Sequence, residues 1–245
     1  MDEIKVRDEG AVRIITINRP DKANAINKPM AIALQQAFIA FEASDQRVAV
    51  LTGEGAKAFS TGADMKDIPE IWRMMPTVGF RSEKPIIAAV TGWCVGGAFM
   101  TAVMCDLCVA TENAKFSYPE GRIGHTGGVA AALAGRIPHK IAMEILMLGD
   151  VVEARRAYEV GLVNRLVPEG EHLNAALAMA HQLAGYAPLV MSTLKRFITE
   201  TVLPKGPSEK MLAAQRDIRT IMESEDMKEG LVAFQEKRAP AYIGR

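Results

Sequence analysis

Two glycine-containing turns and one carboxylate are the residues of this chain best suited to chemistry. KAFSTGADMK (Lys57 to Lys66) follows the apolar run VAVLTG, and TGWCVGGAF (Thr91 to Phe99) follows IIAAV. Gly96 and Gly97 let the backbone come close to a ligand, and a helix starting there leaves N–H groups unpaired. Two such turns facing each other would hold one oxyanion between two backbone donors. Taken alone, each turn is more often only a strand–helix packing device. Glu120, after FSYP and before GRIG, reads as a carboxylate at the end of a short strand. A group so placed is either a general base or a solvated surface charge.

Other chemistries are poorly supported. The chain has no GxxxxGK[ST], no GxGxxG after a strand, no GxSxG and no HExxH, which removes the usual nucleotide cradles and hydrolase or zinc-protease arrangements. His125, His139, His172 and His181 are scattered without ligand spacing, and no metal site is expected. Cys105 and Cys108 form a CxxC, but they lie between apolar runs rather than at an exposed helix start. Buried structural thiols are the expectation.

The elements that position these residues follow from periodicity. VRIITINR (12–19), VAVLTG (48–53), IIAAVTG (86–92), LCVAT (107–111) and KFSY (115–118) read as strands. PMAIALQQAFIAF (29–41) has helical spacing with proline in its first turn. Alternating strands and helices imply parallel pairing and an α/β class. From Ile141 onward, AMEILML, EARRAYEVGL, NAALAMAHQLAGYA, APLVMSTLKRFITETV and Ser208 to Phe234 all have helical periodicity. The expected division is an α/β core over 1–170 and a helical region over 171–245. Ile86 to Cys105 is uncharged over about 20 residues, the length of a membrane span. Its composition is nevertheless a β-branched run, a glycine turn and a helical run, so a buried strand–turn–helix is expected.

The 245 residues suffice for a sizeable core. Lys plus Arg (29) balances Asp plus Glu (29), giving no bulk electrostatic reason to bind nucleic acid or an anionic membrane. Three cysteines do not make a disulfide framework, and MDEIKVRDEG lacks the apolar segment of a secretory signal. A cytoplasmic protein is expected.

Six segments, NRPDKANAIN, FSTGADMK, AAVTGWCVGG, MCDLCVATENAKFSYPE, GLVNRLVP and AFQEKRAPAYIGR, resemble the enoyl-CoA hydratase/isomerase (crotonase) family in its own order, almost end to end. The resemblance implies a spiral of β-β-α repeats with a helical C-terminal trimerisation region, as a homotrimer or dimer of trimers. It implies an acyl-CoA substrate, coenzyme A being part of that substrate and no other cofactor being used. Ala63 and Gly97 then supply the oxyanion N–H groups and Glu120 the general base. Ala23, Ala25, Ile26 and Thr61 line the CoA path, with Lys57, Lys66 and Lys237 toward its phosphates. Gly62, Asp64, Met65, Trp93, Gly96, Met100 and Pro119 are carried over as substrate-contacting positions. The segment from Asp67 to Glu83, with Trp72, Met74 and Met75, is expected to wall the acyl pocket.

Departures from the pattern narrow the expected reaction. Family hydratases hold water between two glutamates, and Met100 stands where the first would be. A thioether does no acid–base work. The loop after Glu120 is also shortened, to GHTGG. One glutamate suits an isomerase or lyase better than a two-glutamate hydratase. GWCVGG is similar to hydroxycinnamoyl-CoA hydratase-lyases, although Ile68 stands near the place of their tyrosine. The alternative is an acyl-CoA binding protein with little or no turnover.

Overall fold

The structure is a computed structural model that describes residues 3–245. Strands β1 (Ile4–Glu9) and β2 (Val12–Ile17) form an antiparallel hairpin, with Gly10 at positive φ in its turn. Helix α1 (Lys28–Glu42) follows, and the Asn27 side chain caps it by accepting the Met30 N–H. Its apolar stripe, Met30, Leu34, Phe38 and Phe41, is fully buried.

Strand pairs then recur, and the members of each pair enter different sheets. β3 (Val48–Gly53) and β4 (Ala58–Ser60) come first, then β5 (Ile86–Val90) and β6 (Trp93–Val95), then β7 (Leu107–Thr111) and β8 (Lys115–Ser117). The β3, β5 and β7 strands join the large sheet, while β4, β6 and β8 join the small one. Helix α2 (Gly97–Met104) closes the second repeat and the one-turn helix α3 (Glu120–Ile123) the third, whereas a 3-10 turn over Ile71–Met74 closes the first. Helix α4 (His139–Leu148), the short strand β9 (Val152–Glu153), helix α5 (Ala154–Glu159) and β10 (Arg165–Val167) complete the two sheets. Their orders are β1-β2-β3-β5-β7-β10 and β4-β6-β8-β9. From β2 to β10 the large sheet is parallel. The result is the spiral of β-β-α repeats that the segments above imply.

Helices α6 (His172–Ala184), α7 (Pro188–Phe197), α8 (Pro207–Met222) and α9 (Glu225–Glu236) finish the chain. Ala176, Met179, Ala180 and Ala184 of α6 cover Val12, Ile14, Val50, Ile87 and Val109 on the outer face of the large sheet. With the opposite face packed in the main core, all six β3 residues are buried. Buried Lys195 of α7 reaches Asp106 Oδ2 (2.7 Å) and Ser82 Oγ (2.6 Å), tying that helix to the core. The same carboxylate oxygen accepts the Ile86 N–H that opens β5.

Three details differ from expectation. Both glycine turns contain strand residues, since β4 and β6 pair in parallel (Ala58 with Trp93, Ser60 with Cys94). Glu120 does not end a strand but begins α3, with Tyr118 and Pro119 between it and β8. Charged β1 carried no strand signal because its side chains are nearly all exposed. The uncharged stretch from Ile86 becomes β5, β6 and the eight-residue α2. Among the described residues no helix is long and apolar enough to cross a membrane.

The small sheet depends on Gly92, whose φ is +59°. A Cβ there would lie 2.2 Å from the Lys57 carbonyl oxygen, the acceptor of the Trp93 N–H. Gly92→Ala is expected to cost about 1–3 kcal/mol through backbone strain, and more if the strand separates. Urea unfolding of the two proteins measures it, and equal midpoints would contradict this account.

Candidate active site

Two loops are fastened together by backbone and side-chain hydrogen bonds. Ala23 and Asn24 both have positive φ, which turns the chain back after Pro20. Buried Asn24 donates through Nδ2 to the carbonyls of Glu54 (3.0 Å) and Ala58 (2.7 Å). The Thr61 N–H donates to the Ala23 carbonyl, and the Arg19 guanidinium bonds Ala25 O (3.1 Å) and Asp64 Oδ2 (2.7 Å). That guanidinium holds the Asp64 carboxyl below its usual range. Ala23, Ala25, Ile26, Thr61, Gly62, Ala63 and Asp64 are thereby brought side by side.

Ile26 pairs with Ala63 as an isolated parallel bridge. Its N–H donates to Gly62 O (2.8 Å) and its carbonyl accepts the Asp64 N–H (2.7 Å). Successive groups of an extended chain point to opposite sides, so the Ala63 N–H between them points away from Ile26. Gly62, at φ +83°, lies against the second turn, where a Cβ would sit 2.8 Å from Val95 O and 3.4 Å from the Gly97 nitrogen. Gly97 is the first residue of α2, so its N–H has no partner within the helix, and the positive end of the helix dipole lies there.

Glu120 meets this turn from the third repeat. The Gly96 N–H donates to Ser117 O (2.9 Å), anchoring the turn to β8 just before Glu120. Gly96 has φ +59°, and a Cβ on it would lie 2.6 Å from Glu120 Oε1. A side chain here would push that carboxylate from its place, and the left-handed φ itself favours glycine. Glu120 is 8% exposed, and its Oε2 is buried with no hydrogen-bond partner. Burial pushes its pKa up to about 7, against a smaller lowering by its own backbone N–H. A buried, unpartnered carboxylate that titrates near neutrality can exchange a proton with a ligand.

The remaining expected positions are distributed as follows. Met100, one turn into α2, is 1% exposed and belongs to the main core. Pro119 immediately precedes α3. Trp93 is exposed, bonded through its N–H to Lys57 O and covered by the Lys115 ammonium 5.5 Å from the ring. Lys57, Met65 and Lys66 are exposed on the first glycine loop. Lys237 is exposed on a separate element, at the left-handed end of α9. Cys94, Cys105 and Cys108 are buried, and burial pushes the Cys108 thiol to about 12 and the other two well above the usual range. No group of three or more His, Cys, Asp or Glu among the described residues could hold a metal ion.

Sequence reasoning missed two supporting residues. Tyr118 bonds Thr126 Oγ1 (3.1 Å) and the Gly127 carbonyl (3.4 Å), fastening the GHTGG loop beside Glu120. Its position inside FSYPE was the available signal. Ile71, which overlies Gly97, had none beyond lying in the segment expected to wall a pocket.

The family model for enoyl-CoA hydratase/isomerase matches residues 7–245. The chain belongs to the enoyl-CoA hydratase/isomerase family. Among its relatives, the carnitinyl-CoA dehydratase of Salmonella typhi is 35% identical over 261 residues, covering 100% of this chain and 99% of that protein. An enoyl-CoA hydratase from Mycobacterium tuberculosis H37Rv is a solved member with 34% identity, TM-score 0.78 and full coverage of both chains. A carnitinyl-CoA hydratase from Mycobacterium avium gives 33% identity and TM-score 0.79, again with full coverage of both. The crotonase-like spiral is thus shared with solved members of the enoyl-CoA hydratase/isomerase family.

The Glu120 environment carries a stability signature. Its folded pKa of about 7 lies above the ordinary 4.5, so between these values the folded state keeps a proton that the unfolded chain releases. That contribution is complete below about pH 4.5 and is lost as pH rises through about 7. Glu120→Gln does not titrate, so its stability relative to the parent should rise from pH 4.5 to pH 8 by up to about 3 kcal/mol. Urea unfolding at the two pH values measures the difference, and a pH-independent gap would mean that the carboxyl is solvated.

Proposed function

We propose that this acyl-CoA enzyme of the enoyl-CoA hydratase/isomerase family removes a proton beside the thioester carbonyl, with Glu120 as its single general base. The supporting observation is the buried, unpartnered Glu120 carboxylate against Gly96, next to the free N–H of Gly97. Ala63 and Gly97 donate their N–H groups to the thioester oxygen as it becomes an enolate. Preorganised donors of this kind are worth about 3–4 kcal/mol each in oxyanion holes, and the α2 dipole adds to them. Ala23, Ala25, Ile26 and Thr61 take the CoA path, with Lys57, Lys66 and Lys237 serving its phosphates.

Two outcomes follow from one base. In isomerisation, the proton taken from the α- or γ-carbon returns at the other, and the double bond moves with the electron pair. In elimination, the enolate electrons expel a β-hydroxyl, which takes the proton from Glu120 and leaves as water. The Salmonella typhi relative is named a dehydratase, which favours elimination as the lyase variant. Buried Met100 argues against a two-carboxylate mechanism for this elimination and for its reverse, hydration, leaving Glu120 to move the proton in both directions.

Exchange of substrate protons with deuterated solvent tests the role of Glu120. Glu120→Gln is expected to lower exchange by about 10²–10⁴-fold while acyl-CoA affinity changes little, because the oxyanion donors are backbone groups. Exchange by the parent should increase with pH and level off above about 7, as the base loses its proton. Undiminished exchange in the variant would place the base elsewhere. Acyl-CoA binding without exchange in either protein would favour a non-catalytic binder.

We further propose a homotrimer or dimer of trimers. Leu189 in α7 and Val202 just beyond it are 81% and 70% exposed, and Phe234 of α9 is 85% exposed. Surfaces of this kind are ordinarily covered by a partner. Sedimentation at micromolar concentration should give three or six times the monomer mass, and a stable monomer would refute the assembly.

A further inference from the structure

Gly96 and Gly97 are each overlain by a different side chain. A Cβ on Gly96 would meet Glu120 Oε1 at 2.6 Å, and one on Gly97 would meet Ile71 Cγ1 at 2.3 Å and its Cδ1 and Cγ2 at 3.3 Å. The carboxylate and the branched alkyl group therefore stand on consecutive residues, one of which carries the candidate oxyanion donor. A ligand with its carbonyl at the Gly97 N–H and its neighbouring carbon toward Glu120 would have Ile71 beside it.

The surroundings leave little space for the tail of such a ligand. Trp72, Met74, Met75 and Met100 are between 1% and 7% exposed and belong to the main core. A cavity of about 530 Å³ lies along the same turn, lined by Trp72, Arg73, Gln35 and Phe80, but Ile71, Gly97 and Glu120 are not among its walls.

Nor is the turn built like a swinging lid. Buried Arg73 donates to Gln35 Oε1 and to Glu70 Oε2 (3.0 Å), and Gln35 Nε2 donates to the Gly79 carbonyl. Gly79 packs so tightly that a Cβ on it would fall 2.0 Å from Arg73 O. From α8, Arg219 bonds Glu70 Oε1 (2.9 Å). The 3-10 turn carrying Ile71 is thus fastened to α1, to the Gly79 segment and to α8.

We propose that Ile71 is a specificity-determining residue that limits the site to short acyl groups. The proposal rests on the acyl-CoA reading above and adds to it a bound on the substrate. Chain carbons that reach Ile71 meet its alkyl group, and a tail that must back out of its place loses about fourfold in affinity for each methylene it re-exposes.

Calorimetric dissociation constants of the full chain for free CoA and for acetyl-, butyryl-, hexanoyl- and decanoyl-CoA test it. In the parent, affinity should peak at butyryl-CoA and be at least about tenfold weaker for hexanoyl- and decanoyl-CoA. Ile71→Ala should tighten hexanoyl-CoA about tenfold relative to butyryl-CoA, with free CoA unchanged, and Ile71→Val should lie between. The unchanged free-CoA affinity separates pocket enlargement from misfolding. Should the alanine variant fail to fold, the valine variant and the parent profile still decide. A parent that binds decanoyl-CoA as tightly as butyryl-CoA, or variants with unaltered length preference, would overturn the role of Ile71 while leaving acyl-CoA binding intact. Absence of binding by CoA and every thioester would overturn both readings.

Discussion

The absence of a side chain at Gly96 lets Glu120, twenty-four positions later, place its carboxylate against the turn that opens α2. The contact joins the second spiral repeat to the third. β6 and β8 pair in parallel, the Gly96 N–H binds Ser117 O, and the chain then needs only Tyr118 and Pro119 to reach Glu120. On the other side, β4 pairs with β6 and brings Gly62 against the Gly97 nitrogen. Three successive repeats each contribute one element, and the small sheet aligns them. Without its short strands, the donors and the carboxylate would have no fixed relation.

The same arrangement explains the electrostatics. A carboxylate in water carries several hydrogen bonds, and Glu120 Oε2 has none in the folded protein. The ionised form is disfavoured, so the group titrates where a base is useful at neutral pH. The cost falls on folding, and the large sheet offsets it with two well-covered faces. Asp64, one residue after Ala63, has the opposite setting. Arg19 keeps it ionised and uses it to fasten the loop rather than to move protons.

Local signals made much of this legible in the sequence. The β-branched runs at 12–17, 48–53 and 86–90 became strands, and helical spacing at 29–41 and beyond 141 became helices. The segments around Gly62, Gly97 and Glu120 resembled one family in order, and the family model confirms that membership. Partnerships set by the spiral were not legible. Nothing near Ile71 announces that it rests on Gly97, and nothing near Glu120 announces that its carboxylate rests on Gly96, a full repeat earlier. The short strands β4 and β6 were hidden because their three residues lie within glycine-containing turns, whose composition reads as a break. The α3 start at Glu120 was read as a strand end because one turn of helix is too short to show a pattern.

The buried cysteines have a consequence for how the protein can be watched. Cys94 lies in β6, Cys105 just beyond α2 and Cys108 in β7, so the three thiols sample both sheets and the helix between them. Each is shielded and held in its protonated form, and an alkylating reagent attacks only the thiolate. Modification therefore has to await an opening of the chain around the sulfur. The three thiols act as internal clocks, and their alkylation rates report how often the spiral comes apart at the level of the Gly96–Gly97 turn.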